Sequence, residues 1–135
     1  MRVAFATDEA TPLTDEVQAR LRAAGHDLVL LGEGNPWPDV GRLVGEAVAS
    51  GAAERGVVCC WTGTGVSIAA NKVAGVRAAL CTDAETARGA RRWNDANVLA
   101  LSLRLTSSVV AGELLEAFFS TEVAPDEVDT IARLP

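Results

Sequence analysis

The sequence predicts a three-layer α/β/α sandwich built on a mostly parallel, five-stranded sheet. Three observations carry that expectation. Short β-type runs alternate with helical spacings along the chain, as in strand–helix–strand units. The run GVVCCW, 56–61, is apolar without alternation, as befits a strand covered on both faces. Residues able to do chemistry (Asp8, Cys60 to Gly65, Thr82 and Asp83) fall at the ends of predicted strands, where open parallel sheets bind ligands.

Arg2–Thr7 (RVAFAT) is the first strand. From Pro12 to Ala24, Leu13, Val17, Leu21 and Ala24 recur at helical spacing, and Gly25 closes the helix. Asp27–Leu31 (DLVLL) reads as the second strand. GEGNPWPD, 32–39, reads as a loop, because Gly, Asn and the prolines hold no regular element. Val40 to Ser50 is a helix with Leu43, Val44, Ala47 and Val48 on one side, ended at Gly51. Gly56–Trp61 is the third strand, Gly63–Gly65 a loop, and Val66 to Val73 a helix. Arg77–Cys81 (RAALC) is the fourth strand, Ala84 to Trp93 a helix, Val98–Leu101 the fifth strand, and Ser107 to Ser120 a long helix. The acidic segment Thr121–Pro135 is expected to pack as a short helix or arm. With no internal repeat, low-complexity tract or linker, residues 1–135 read as one Rossmann-like domain.

A net charge of −6 and the lack of a basic stripe argue against nucleic acid as a partner. No apolar run of about 18 residues predicts a membrane span, and MRVAFATDEA turns acidic too soon for a signal peptide. A cytoplasmic protein is expected. The three cysteines (Cys59, Cys60, Cys81) make an odd count without metal-ligand spacing, so free thiols and no metal are expected. Cys59 and Cys60 are adjacent and should point to opposite faces of the sheet. The single histidine, His26, follows a glycine in a predicted turn and reads as a surface residue.

The stretch CCWTGTGVSIAANK, 59–72, concentrates the chemistry. Gly63 and Gly65 let the backbone approach a ligand closely, and successive amides beside a helix N-terminus form an anion cradle. Thr64 lies inside this loop, and Ser67 is placed to cap the helix or reach the anion. Neither the Walker spacing nor the dinucleotide fingerprint is present, so a plain strand-to-helix turn stands beside the anion-loop reading. Cys60, beside the helix N-terminus, is placed to act as a base or nucleophile, and a buried space-filling thiol is the other reading.

The opening strand ending in Asp8, the PWPD loop, VASGAAERGVVCCWTGTGVSIAANKVAGVRAALC and ARRWNDANVLAL together resemble the type B ribose-5-phosphate isomerase and galactose-6-phosphate isomerase family, over Arg2 to about Glu122. The resemblance implies interconversion of aldose and ketose phosphates, an intramolecular oxidoreduction. A base moves a proton between C1 and C2 through a cis-enediolate, and the loop amides hold the developing oxyanion. It implies no metal or organic cofactor. Cys60 matches the family base, and the glutamate some members use falls at Val66. Thr62 matches a threonine that assists ring opening, and Asp8 an aspartate that binds sugar hydroxyls. Asn71 and Lys72 match the motif after the loop. Asn94 matches an asparagine that holds the enediolate oxygen and reaches the site from the neighbouring subunit of a homodimer.

The sequence also departs from the family pattern. Glu9 replaces a histidine after the strand-one aspartate, Trp61 replaces the first loop glycine, and Trp93 replaces the ring-opening histidine. Glu127 and Thr130 fall where the family carries phosphate-clamping arginines, with Arg133 nearby. Tryptophan does not titrate, so it cannot shuttle ring-opening protons, and a glutamate repels a phosphate dianion. Asp8, Glu9, Trp61, Gly63, Thr64, Gly65, Ser67, Trp93 and Asn94 are therefore the expected ligand contacts, with Cys60 and Thr62 catalytic. The expected function is an aldose–ketose isomerase for a sugar or sugar phosphate other than ribose 5-phosphate. The alternatives are a non-catalytic sugar-binding protein, or a partner subunit, that keeps the isomerase fold.

Overall fold

A computed structural model describes all 135 residues. Five strands form one all-parallel sheet in the order β2-β1-β3-β5-β4: β1 (Arg2–Thr7), β2 (Asp27–Glu33), β3 (Arg55–Cys60), β4 (Ala78–Leu80) and β5 (Val98–Ser102). The helices are α1 (Pro12–Ala23), α2 (Trp37–Ala49), α3 (Thr64–Asn71), α4 (Ala84–Asn94), α5 (Ser108–Ser120) and α6 (Val128–Ile131). The three-layer expectation holds. One apolar layer joins α1, α4 and α5 to the sheet through Val17, Ala87, Leu114 and Phe118. The other joins α2 and α3 through Val40, Val44, Val66 and Ala70. Every residue of β3 and β5 is buried, which is why those segments read as unbroken apolar runs.

Strand order reverses between β1 and β3. The chain leaves β1 for β2 on one side and returns to β3 on the other. The crevice beyond the carboxyl ends of these two strands is where such folds bind ligands.

Several boundaries differ from the sequence reading. Strand β2 continues to Glu33 because a register shift between Phe5 and Ala6 brings Gly32 and Glu33 against Ala6 and Thr7. The PWPD segment is not all loop: α2 starts at Trp37, with Pro36 as its N-cap. Proline costs nothing in a first turn, where amides have no intrahelical acceptor. For the same reason α3 starts at Thr64, inside the expected Gly63–Gly65 loop. His26 is half-buried against Phe119, with ring centroids 4.9 Å apart, and not a free surface residue.

The tail is anchored at the amino end of the sheet. A 3-10 turn (Pro125–Glu127) precedes α6, and the Ala124 amide donates to Arg92 O at 2.8 Å. Two buried arginines hold the end of α5: Arg55 donates to Phe118 O at 2.7 Å and Arg91 to Thr121 O at 3.1 Å.

Candidate active site

At the carboxyl edge of the sheet, Thr7 pairs with Cys59 in register, so Asp8 runs alongside Cys60. The Asp8 amide donates to Cys59 O at 3.2 Å. The Thr7 hydroxyl folds the next residues into a tight turn, donating to Glu9 O at 2.8 Å and accepting from the Glu9 amide at 3.3 Å. Asp8 Oδ1 is buried without a hydrogen-bond partner. Burial, and then the neighbouring Glu9 carboxylate, push the Asp8 carboxyl above the ordinary aspartate range.

The two adjacent cysteines part as strand alternation demands. Cys59 joins the α1/α4/α5 layer and Cys60 the α2/α3 layer. Burial, followed by the proximity of Cys60 and Asp8, holds the Cys59 thiol far above the usual range. Cys81 is pushed up to about 11, by burial first and Asp83 second. Both stay protonated and inert near neutral pH. Cys60 differs in its contacts: its Sγ accepts from the Gly63 amide at 3.2 Å. Val66, where some family members carry a glutamate, is fully buried among apolar neighbours. Cys60 is therefore the one acid–base side chain aimed at this loop from β3.

Gly63 turns the chain from β3 into α3 with φ +76°, and a Cβ there would lie 2.5 Å from Leu80 Cδ1. Helix α3 has no side-chain cap, and the amides of Thr64, Gly65 and Val66 donate to no protein acceptor. Ser67 lies a turn further in and does not cap the helix. Its amide instead donates to Gly63 O at 3.3 Å. A row of free N–H groups thus sits beside the Cys60 thiol, a geometry able to receive an anionic oxygen. The Thr62 and Thr64 hydroxyls hydrogen-bond each other at 2.7 Å and remain exposed. Trp37 lies over Gly65, where a Cβ would come within 2.9 Å of its ring.

Trp61 points away from Cys60. Its carbonyl accepts from Ser102 Oγ at 3.1 Å and from the Arg104 amide at 2.9 Å. Its exposed indole walls a cleft of about 340 Å³ with Glu9, Glu16, Leu103 and Thr106. The buried Thr106 hydroxyl has no partner, a feature invisible in the sequence. Arg104 follows on the rim, exposed and in no ion pair; it is the cation next to the Trp61 backbone.

Trp93 and Asn94 lie elsewhere. Helix α4 runs back to the amino end of the sheet, where the Asn97 amide donates to Arg77 O at 2.9 Å, just before β4. Within one chain, Trp93, Asn94 and the tail around Arg133 sit at the opposite end from Cys60. Asn71 is a structural clamp: its amide group bonds both Ala78 N (2.8 Å) and Ala78 O (3.0 Å). His26 is also remote, with Nδ1 3.3 Å from the Met1 amine. No helix is long and apolar enough to cross a membrane.

The Ribose/Galactose Isomerase family model matches residues 3–133. The chain belongs to that family. It is 36% identical over 118 residues to the D-erythrulose-4-phosphate isomerase of Pectobacterium atrosepticum, covering 87% of this chain and 78% of that protein. It is 34% identical over 126 residues to ribose-5-phosphate isomerase B of Escherichia coli, covering 90% and 85% of the two chains. Ribose-5-phosphate isomerase B of Clostridium thermocellum superposes with a TM-score of 0.94 at 34% identity, over 99% of this chain and 95% of that one. The fold and family expected from CCWTGTGVSIAANK and NDANVLAL are thereby established, and the family is one of sugar phosphate isomerases.

Proposed function

We propose that this chain is an aldose–ketose isomerase whose substrate is a short sugar phosphate that needs no ring opening, with Cys60 as the base. The observation that carries this reading is the Cys60 Sγ, 3.2 Å from the Gly63 amide, beside the unpaired N–H groups of α3. The thiolate takes the proton from the carbon next to the carbonyl. Carbonyl electrons move to oxygen, which the Thr64 and Gly65 amides stabilise; Cys60 then returns the proton to the former carbonyl carbon while the hydroxyl proton passes from the second oxygen to the first, leaving the carbonyl on the adjacent carbon. The exposed, mutually hydrogen-bonded Thr62 and Thr64 hydroxyls flank the Gly63 turn and are available to the substrate oxygens, and Asp8 takes a sugar hydroxyl.

The composition of the site supports this substrate class. Opening a furanose calls for a group that gives and takes protons near neutral pH. The only imidazole lies at the other end of the sheet. A tetrose 4-phosphate cannot close a furanose ring, because its O4 is esterified. The likeness to a D-erythrulose-4-phosphate isomerase supports the same class. Asn94, exposed at the far end, suits a homodimer in which each copy completes its neighbour's site.

The test is proton exchange at C1 and C2 in heavy water, followed by NMR. The panel holds erythrulose 4-phosphate, ribose 5-phosphate, galactose 6-phosphate and free pentoses. Exchange of the tetrulose phosphate that disappears in Cys60→Ala supports the proposal. Silence with every sugar overturns it in favour of a ligand-binding protein or a partner subunit.

A further inference from the structure

We infer that Asp95 is a positioning residue: it locks the last turn of α4 so that Trp93 and Asn94 project as one rigid unit toward a second copy's site. The inference rests on the isomerase reading above. It starts from a conformation. Asp95 is the one non-glycine residue with positive φ (47°) and forms the C-cap of α4. Such a residue persists only where its surroundings over-determine it. Glycine or asparagine fills this place more readily, and a carboxylate at a helix C-terminus opposes the helix dipole. Two unfavourable choices at one position require a compensating partner.

The partners are Arg91 and Arg77. Arg91 Nη1 donates to Asp95 Oδ1 at 2.8 Å, and Arg77 Nη2 to Oδ2 at 3.1 Å. Arg77 Nε also holds the Asp95 carbonyl at 2.8 Å. Both arginines are themselves fixed. Arg91 is buried and donates to Ala96 O at 2.6 Å, while the Arg77 amide donates to Asn97 Oδ1 at 2.7 Å. The clamp therefore ties the end of α4 to the start of β4 and to the chain entering β5.

On this base stand two exposed side chains. Trp93 folds back on its own helix, where a Cβ on Gly89 would come within 2.7 Å of the ring. Asn94 makes no side-chain hydrogen bond within the chain and faces solvent. A free amide on a rigid support is how a precise contact is built, and Asn94 has no use for it inside its own chain, since Cys60 is at the other end of the sheet.

Two variants test the clamp. Asp95→Gly keeps the left-handed backbone and removes both carboxylate contacts. Asp95→Asn keeps the backbone and one acceptor but removes the charge, and it serves if the glycine variant does not fold. The Asn94 side-chain amide and Trp93 indole N–H are followed by ¹⁵N NMR. Turnover of erythrulose 4-phosphate is measured alone and in a double-mutant cycle with Asn94→Ala. We expect both signals to shift and broaden, kcat to fall on the order of 10- to 100-fold, as for a small misplacement at a reacting centre, and KM to change less. Adding Asp95→Gly to Asn94→Ala should then cost little more. Unchanged signals in both variants, or fully additive losses, overturn the inference. A wild-type chain that exchanges no sugar overturns the isomerase reading and the clamp's catalytic purpose with it, while the NMR comparison still decides whether Asp95 sets the two side chains.

Discussion

The Gly63 amide donates to the Cys60 thiol across 3.2 Å, and Leu80 closes the space behind Gly63 so tightly that a Cβ there would lie 2.5 Å from it. Turn and thiol are therefore one unit. The glycine that lets β3 turn into α3 also supplies the donor to the sulfur, and the helix it starts offers its unpaired amides on the same side. On the proposed isomerase reading, charge forming on a substrate oxygen would be met by dipoles already in place, which is what lowers such a barrier.

Cys60→Ala should therefore lower C1/C2 exchange by roughly 10²- to 10⁴-fold, the usual worth of a positioned base. The sulfur is a small part of the α2/α3 layer, so stability should fall by only about 1 kcal/mol. Exchange rates and a thermal melt by circular dichroism separate the two effects. An alanine variant that still turns over at the wild-type rate removes Cys60 from the mechanism.

Ribose 5-phosphate should be turned over far more slowly than erythrulose 4-phosphate, by at least about 100-fold in kcat/KM, the scale on which a missing acid–base group acts. Initial rates on both sugars decide it. Comparable values would mean that ring opening is done without imidazole, or that it is not needed.

Much of the architecture was legible, and the reasons are physical. Strands β3 and β5 announce themselves because both faces are covered, and α1 because its apolar residues repeat at helical spacing. The starts of α2 and α3 were not legible. Trp37-Pro38 and Thr64-Gly65 are poor helix formers, and first-turn amides do not depend on intrahelical bonds. Around the site, Cys60, Thr62 and Gly63 could be grouped because they adjoin a strand end. The remoteness of Asn94 from Cys60 within one chain depends on which end of the sheet α4 runs to. The Asp95 clamp depends on a left-handed residue and on Arg77, far away in sequence. Neither Arg55 nor Arg91 could be told from a surface arginine, since their burial is set by the end of α5.

Gly65→Ala should destabilise the fold by roughly 1–3 kcal/mol, as overpacking does. Its Cβ would press on the Trp37 ring, 2.9 Å away, and push the α3 amides out of line. Adding Trp37→Ala should restore part of the lost stability by making room. Chemical denaturation of the two single variants and the double variant measures the coupling. A double variant as unstable as the sum of its parts would show that the indole and Gly65 are not in contact.

The charge state of Asp8 should be visible in the pH dependence of stability. Burial and then Glu9 raise its carboxyl pKa in the folded chain. A carboxyl raised on folding is protonated more readily in the native state than in the unfolded chain. Native stability therefore declines as pH rises from the unfolded value through the raised folded one, and the loss persists at neutral pH. The buried, partnerless Oδ1 is the structural counterpart of that cost. Asp8→Asn keeps the shape and removes the charge, so it should be more stable than wild type at pH 7, and the advantage should vanish as pH falls below the ordinary aspartate range. The same variant should bind sugar more weakly, because a neutral amide accepts a hydroxyl proton less strongly than a carboxylate. Melting curves from pH 3 to 8 on both chains check the first claim and titration with erythrulose 4-phosphate the second. An asparagine variant less stable than wild type at pH 7 would mean that the folded chain favours the Asp8 charge, and would remove the argument that this carboxylate waits for a ligand's hydroxyl.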